Sequence, residues 1–320
     1  TGPYVMSEYS AGSYVKFSAN DTYFLGKPSI GTIVYRIIEN SNTAMMAIQS
    51  GEVDAWVATP SEVGQMNLEA NNLTTYAYSE GRVGYMAINV KQIPDQKVRQ
   101  AIFYALNTKD IDDAVFLSDE YYDIPTSFLP PTSEFYTDNV EKYDQDVEKA
   151  KELLAEAGYA DGFDLAIAVP SVYEFHMQTA EVVVEQLKAV GINATIDAVE
   201  WNTWLEDVYT NREYQATISG ITCSDLTPGY LLNRFQTDSK KNFVNFKSTE
   251  YDELWKATQA TQDATEKAAD YKKLQTILAD EAASAFIQVP ANTTAFNKNL
   301  AGYKFYPIYV QDMSTVYFVK

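Results

Sequence analysis

The sequence predicts an α/β fold, and three observations support that prediction. Short apolar runs alternate with amphipathic helical segments along most of the 320 residues. The clearest example is the strand-like run 163–169 (FDLAIAV), a helical segment over 173–190, and a second run at 192–199 (INATIDAV). Such a strand–helix–strand unit is expected to be parallel and right-handed. The hydrophobic content of 46% is that of a globular protein, and the length is sufficient for two domains.

The first third of the chain indicates mixed β-structure with short helices. Residues 4–9 and 14–19 read as a hairpin whose turn is Ser10-Ala11-Gly12-Ser13. Further strands are predicted at 32–38, 52–56, 73–78 and 83–89, and short helices at 43–49 and 61–69. Gly51 is placed to end the first of these helices.

Helices are more frequent in the remainder of the chain. Helices are predicted at 95–107, 109–116, 145–157, 249–261 and 265–283, and strands at 285–289, 293–297 and 303–306. Asp95 and Asp144 are the predicted N-caps of the first and third of these helices. Between them, residues 121–143 form a long irregular passage with three prolines, of the kind that is usually functional or wraps another surface.

Composition excludes several classes of function. The net charge of −20 opposes binding to nucleic acid and to anionic membrane surfaces. A single Cys and a single His, His176, leave no intrachain disulfide, no Cys-rich metal site and few routes for general-base chemistry. Glycine-rich nucleotide-binding motifs are absent. The chain is therefore expected not to be an enzyme, with no catalytic residues, no metal and no cofactor.

The segment 192–238 is the expected functional centre. After strand 192–199, Glu200 and Trp201 open a short helix, and the run 214–219 stops at Gly220 before the loop ITCSDLTPGY. Such a loop offers free backbone N–H groups and short polar side chains. In open α/β sheets, ligands bind where loops leave the carboxyl ends of strands. This segment therefore predicts a binding surface.

Several phrases occur in a distinctive order. They are GPY at 2–4, GKP at 26–28, YRII at 35–38, AIQSGEVD at 47–54, VRQAIFYALN at 98–107, AKELLAEAGY at 150–159, EW at 200–201 and NKNLAGY at 297–303. With this order and spacing over essentially the whole chain, the sequence resembles the extracellular solute-binding proteins of ABC importers. The resemblance is to the oligopeptide/dipeptide/nickel-binding family, family 5.

The resemblance implies a type II periplasmic-binding-protein-like fold, in which two lobes with mixed sheets are joined by a two-strand hinge. It places part of lobe I at 1–86, the second, ligand-facing lobe at 87–290 and the return to lobe I at 291–320. The crossings are then expected near 87–91 and 289–293. Because a GTGPY-like phrase falls mid-chain in the family, the resemblance also implies a C-terminal fragment of a lipid-anchored precursor, with lobe I incomplete.

The resemblance also implies a set of ligand-binding residues. Trp201 matches the family's pocket Trp after the E-W glutamate, and the loop from Gly220 matches the loop after the G-W strand. Ile221 stands where the family has an aromatic residue, Ser224 stands where peptide binders have an amine-binding Asp, and Asp225 comes one place later. The full predicted set is Tyr85, Trp201, Gly220, Ile221, Thr222, Cys223, Ser224, Asp225, Asn242, Phe243, Asn245 and Phe246.

Each of these residues also has a purely structural interpretation. A Trp at the start of a helix commonly anchors that helix to a sheet, and an Asp in a loop commonly caps a turn. Asn242 and Asn245 are able to satisfy backbone groups, and Cys223 to act as a small buried apolar residue.

The expected function is that of a receptor which holds a peptide or similar small polar solute between two lobes by hinge closure. The expected partners are this solute and the transmembrane subunits of a permease. A monomer at the extracellular face of the membrane, or in the periplasm, is expected. Nickel is disfavoured because His176, the only imidazole, is expected to lie away from the cleft.

Two alternatives remain open. One is a hydrolase that uses paired carboxylates, for which Glu200 and Asp225 are the nearest candidates. The other is an acidic, Tyr-rich protein-interaction module, which a large exposed apolar patch would support.

Overall fold

The computed structural model of the chain describes residues 1–79, 81–138, 140, 143–225, 227–306 and 310–319. The chain divides into two compact units. The first unit comprises Thr1–Glu80 and Ala291–Lys320, and the second unit comprises Gly81–Pro290. The division at residue 81 falls earlier than the expected 87, because the strand Arg82–Ile88 pairs along its whole length with Ala216–Thr222 of the second unit.

The strands are short except for one. They are β1 (Tyr4–Ser10), β2 (Tyr14–Ala19), β3 (Thr32–Arg36), β4 (Ala55–Ala58), β5 (Leu73–Ser79), β6 (Arg82–Ile88), β7 (Tyr122–Asp123), β8 (Phe163–Pro170), β9 (Ile192–Val199), β10 (Ala216–Thr222), β11 (Ser284–Asn297), β12 (Leu300–Ala301) and β13 (Tyr317–Phe318).

Most helices begin at an Asn, Asp, Ser or Thr whose side chain accepts a backbone hydrogen bond. The α-helices are α1 (Ser41–Gln49), α2 (Pro60–Gln65), α3 (Gln96–Tyr104), α4 (Thr108–Phe116), α5 (Val147–Glu156), α6 (Glu174–Lys188), α7 (Trp201–Thr203), α8 (Pro228–Leu232), α9 (Thr249–Ala260) and α10 (Ala264–Asp280). Helix α7 continues as a π-helix over Trp204–Thr210, and 3₁₀ turns occupy Asp119–Tyr121 and Asn233–Phe235.

The first unit is built from antiparallel strand pairs. The predicted hairpin is confirmed as β1 and β2, and β3 pairs with β2 on its other side. Strands β4 and β5 flank the distal part of β11. Its core cluster is small and consists of Ile48, Ala58, Val63, Met66, Leu73 and Ala295.

The second unit holds a mixed sheet in the order β11–β6–β10–β8–β9. Strand β6 is antiparallel to its neighbours, whereas β10, β8 and β9 are mutually parallel. The predicted strand–helix–strand unit is confirmed as β8, α6 and β9. Successive residues of β6 enter different cores, with Met86 and Ile88 in one and Tyr85 and Ala87 in the other. At β6, the sheet is therefore packed on both faces.

Four local predictions were wrong. The runs 285–289 and 293–297 belong to one strand, β11, because it pairs first with β6 and then with β5. Residues 303–306 form no strand. Strand β10 does not stop at Gly220 but continues to Thr222, and Asp146, rather than Asp144, caps α5 by accepting from the Lys149 backbone N–H.

Candidate functional site

Three segments emerge together at one edge of the second unit's sheet. Strands β8 and β9 end in register at Pro170 and Val199, and β10 runs parallel beside β8. Their carboxyl ends therefore lie at the same edge, which is the edge at which α/β sheets bind ligands. Because β6 is antiparallel to β10, it begins there, with Arg82 opposite Thr222. We call this the carboxyl edge of the sheet.

Aromatic rings form a shelf at the carboxyl edge. The ring of Trp201, just after β9, stacks on Trp204 with centroids 5.4 Å apart and planes 4° apart. Tyr173, just after β8, meets Trp201 edge-on at 5.6 Å. Trp204 is buried and its Nε1 donates to Thr217 Oγ1 over 2.9 Å, whereas Trp201 is 37% exposed. The anchoring role therefore belongs to Trp204, and Trp201 offers a face to solvent.

The final residues of β10 are constrained from both sides. Gly220 lies opposite Gly84 in the pairing with β6. A Cβ at Gly220 would lie 3.3 Å from Cε1 of His176, a buried residue of α6. The expectation that His176 lies away from this segment is therefore wrong, because its imidazole ring packs against Gly220. Burial, with a smaller contribution from Arg82, lowers the pKa of His176 to about 3, so the imidazole is neutral.

The loop after β10 combines a buried thiol with two exposed polar side chains. Cys223 is buried, and its Sγ donates to the Thr227 carbonyl over 3.3 Å. Asp225 is exposed, and its Oδ1 accepts from the backbone N–H and the hydroxyl of Thr227 at 2.9 and 2.8 Å. Asp225 therefore closes its own turn. Ser224 is exposed one residue earlier, at the predicted amine-binding position.

The remaining predicted site residues lie mainly inside the second unit. Tyr85, Phe243 and Phe246 belong to one of its buried core clusters. Asn242 is also buried, and its amide bonds the backbone of Gln236 and Phe246.

Asn245 is half-buried at a positive φ of 56°. Its amide bonds the side chain of Asn89 at 2.9 Å and accepts from Arg212 at 3.1 Å. The contacts of Asn242 and Asn245 fix the course of residues 242–246, and for these residues a role in ligand binding stays a prediction.

Sequence reasoning missed several residues that belong to this neighbourhood. Tyr173 comes three residues after the end of β8, so the rule that placed Trp201 could also have found it. Arg82 had no comparable signal, because its position depends on the antiparallel pairing of β6 with β10. Tyr230, Arg234 and Lys241 lie together beyond the loop, with both cations near the tyrosine ring. They are dispersed over twelve residues, and no local pattern joins them.

The chemistry of the site is that of binding. In the described residues no group of three or more His, Cys, Asp or Glu side chains is arranged to hold a metal ion. The large upward pKa shift of a carboxyl group, to about 9, belongs to Asp112 on α4, which is not one of the carboxyl-edge residues. Among the described residues, no helix has the length and apolarity that a membrane crossing requires.

Comparison with known proteins gives a consistent family match. The sequence model described as bacterial extracellular solute-binding proteins, family 5 Middle, matches residues 1–243. The chain is 30% identical to the oligopeptide-binding protein AppA of Bacillus subtilis over 96% of its own length. It is 28% identical to the dipeptide-binding protein of Escherichia coli, again over 96% of its length. The chain spans 59% of the length of each of these relatives.

Solved structures share the fold. An ABC transporter substrate binding protein from Listeria monocytogenes superposes with a TM-score of 0.91 at 28% identity, over all of this chain and 67% of that one. The Bacillus subtilis oligopeptide-binding protein, solved with a nonapeptide, gives 0.81 at 26% identity, over all of this chain and 66% of that one. These likenesses confirm the predicted fold class, an α/β fold of the type II periplasmic-binding-protein kind.

Proposed function

Because this chain belongs to the bacterial extracellular solute-binding proteins of family 5, we propose that it is the solute-holding part of an ABC-importer receptor. The proposed solute is a peptide or a similar small polar molecule. The observation that carries the proposal is the carboxyl edge of the second unit, where the exposed ring of Trp201 and the exposed polar loop after β10 leave the same edge of the sheet. Relatives named for oligopeptide and dipeptide binding support the choice of solute class.

The proposed mode of binding is non-covalent. The Trp201 ring provides a flat apolar surface for a peptide plane or side chain, held in place by the buried Trp204 beneath it. The Ser224 and Thr222 side chains and nearby backbone groups offer hydrogen bonds at the same edge. Closure around the solute would remove water and shift the receptor to the form that a permease recognises.

Location and assembly are part of the same proposal. We propose a monomer at the extracellular face of the membrane or in the periplasm, anchored by lipid in the complete protein. We propose that one lobe comprises residues 1–80 and 291–320 and that the other comprises residues 81–290. The hydrolase alternative has no support here, since Asp225 is engaged in its own turn and the relatives named above are binding proteins.

The test is peptide retention by the complete protein in native mass spectrometry, using a defined mixture of di- to pentapeptides. We expect wild type to retain peptides and Trp201→Ala to weaken retention about tenfold, as the loss of a stacking surface predicts. Tyr159→Ala is the matched control, because Tyr159 is also exposed but packs on Phe163 at the opposite end of β8. If wild type retained no peptide, or if both variants behaved alike, the proposed function would be contradicted.

A further inference from the structure

A pair of cations surrounds one tyrosine beside the carboxyl-edge loop. The guanidinium carbon of Arg234 lies 5.4 Å from the ring centre of Tyr230, and the Lys241 ammonium lies 4.9 Å from the same centre. We call Tyr230, Arg234 and Lys241 the basic cluster. Cation–π attraction holds each charge near the ring but leaves it without neutralisation.

Among the described residues, the cations of this cluster have no acidic partner. Arg234 is only 8% exposed, its Nη1 donates to the Tyr209 hydroxyl over 3.2 Å, and its buried Nε has no hydrogen-bond partner among the residues that the structure describes. In the part of the chain that the structure describes, neither Arg234 nor Lys241 makes an ion pair. This is unexpected in a chain with 44 acidic and 24 basic residues, because a buried cation is costly unless an anion accompanies it.

Two hydroxyl groups complete the neighbourhood. The Ser224 side chain lowers the pKa of the Tyr230 hydroxyl, burial opposes this effect, and the charges of Arg234 and Lys241 lower the pKa further. Ser224 is exposed and follows β10, so the cluster is connected to the carboxyl edge. Tyr230 and Lys241 are half-buried and remain within reach of solvent. Positive charge beside hydroxyl donors is the complement of a carboxylate.

We propose that Arg234 and Lys241, with the hydroxyls of Ser224 and Tyr230, form a subsite for a carboxylate group of the bound solute. The inference rests on the proposed function and deepens it by naming a chemical group of the solute. In a peptide, this group is the C-terminal carboxylate or an acidic side chain. The half-buried Lys241 and the exposed Ser224 are within reach of the solute, and a carboxylate at Lys241 would gain a charge-assisted hydrogen bond.

The subsite can be tested with three peptide libraries offered to the complete protein. One contains tetrapeptides without Asp or Glu and with free C-termini, the second contains the same peptides as C-terminal amides, and the third contains amides that carry one Glu. We expect wild type to hold the free acids, the Glu-containing amides or both at least tenfold more tightly than the neutral amides. Lys241→Met should reduce that preference about tenfold, since one charge-assisted contact is lost.

The neighbouring Lys240 provides the control, because it is exposed and makes no contact with Tyr230. Lys240→Met should leave the carboxylate preference unchanged, and Arg234→Lys should retain more of it than Arg234→Met. Lys241 is half-exposed, so its replacement is not expected to lower the melting temperature and gives a test that does not depend on the buried arginine.

The outcomes separate the subsite from the receptor. Preference for the free acids assigns the carboxylate to the C-terminus, and preference for the Glu-containing amides assigns it to a side chain. The proposed subsite would be contradicted if wild type held acids and neutral amides equally, or if Lys241→Met and Lys240→Met behaved alike. Neither result would contradict the receptor function. Failure of wild type to hold any library would overturn both.

Discussion

Burial strongly raises the pKa of the Asp112 carboxyl group. Asp112 lies on α4 with no exposed surface, and neither carboxylate oxygen has a hydrogen-bond partner in the described part of the chain. Desolvation, with a smaller contribution from Asp113, raises its pKa to about 9. The carboxyl group is therefore protonated at neutral pH in the folded protein but ionised in the unfolded chain, where its pKa is about 4. Folding must take up a proton at this position.

Asp112→Asn should therefore stabilise the protein at neutral pH. Between pH 4 and 9 the folded state binds one more proton than the unfolded state, so wild-type stability falls as pH rises, by up to about 1.4 kcal/mol per pH unit. Asn has the same shape without that proton requirement. We expect the variant to gain about 1–4 kcal/mol in urea unfolding at pH 7 and little at pH 4.5.

Asp110→Asn is the control, because Asp110 lies on the same helix but is exposed. Equal effects of the two substitutions, or a gain that did not shrink toward acid pH, would show that Asp112 is ionised in the fold.

Position in the chain was sufficient to locate two of the predicted site residues, whose role in binding stays a prediction. Trp201 and Ser224 each come two residues after the end of a strand, so the rule for carboxyl ends placed both at the edge without knowledge of their neighbours. Burial of Asn242 and Phe246 could not be read in this way, because it depends on contacts with segments far apart in sequence. The basic cluster was missed for the same reason.

At the scale of elements, two glycines allow β8 and β9 to begin side by side. Gly162 precedes β8 and Gly191 precedes β9, and their φ angles are 77° and 86°. A Cβ on Gly162 would lie 1.8 Å from the carbonyl oxygen of Gly191. The close approach of these two backbones thus fixes where the two parallel strands start, and through their register where Trp201 emerges.

Gly162→Ala should be clearly more destabilising than Gly158→Ala. Both glycines have positive φ, so alanine at either position costs about 1 kcal/mol in backbone strain. A Cβ on Gly158 meets no atom within 4 Å, whereas one on Gly162 requires the backbone at Gly191 to move. We expect the difference between the two variants in chemical unfolding to exceed about 1 kcal/mol. Equal losses of stability would mean that the backbone segments preceding β8 and β9 move apart without cost.

Strand ends were the least predictable feature at this scale. The β8–α6–β9 unit was predicted because its apolar runs are bounded by a clear helix and by glycine. Strand β10 runs past Gly220 because Gly84 lies opposite and the pairing with β6 continues to Arg82. From the sequence alone, a glycine that ends a strand cannot be distinguished from a glycine that leaves room for a neighbouring ring. Only the strand pairing distinguishes the two.

At the scale of the whole molecule, the two units are stabilised very unequally. The second unit contains two extensive core clusters that cover both faces of its sheet. The first unit has one small cluster, and no residue of β1, β2 or β3 is buried. Several large apolar side chains of this unit, including Met6, Tyr9 and Phe24, are exposed. Sequence periodicity predicted these strands but not that both faces of their sheet would be open.

The rate of hydrogen exchange in the 320-residue chain should therefore differ between the two units. Amides of β1–β3 have little buried apolar area to protect them, so they should exchange through local opening at low free energy. Amides of β8 and β9, whose inward-facing residues belong to the large core cluster of the second unit, should exchange only on unfolding of that unit.

We expect β1–β3 to lose protection at a lower urea concentration than β8–β9 when exchange is followed by mass spectrometry, with peptides from α6 as an internal reference for the second unit. Simultaneous loss in all these segments would mean that the units unfold as one cooperative body. The open sheet would then draw its stability from the second unit, since its own side chains bury too little surface to account for it.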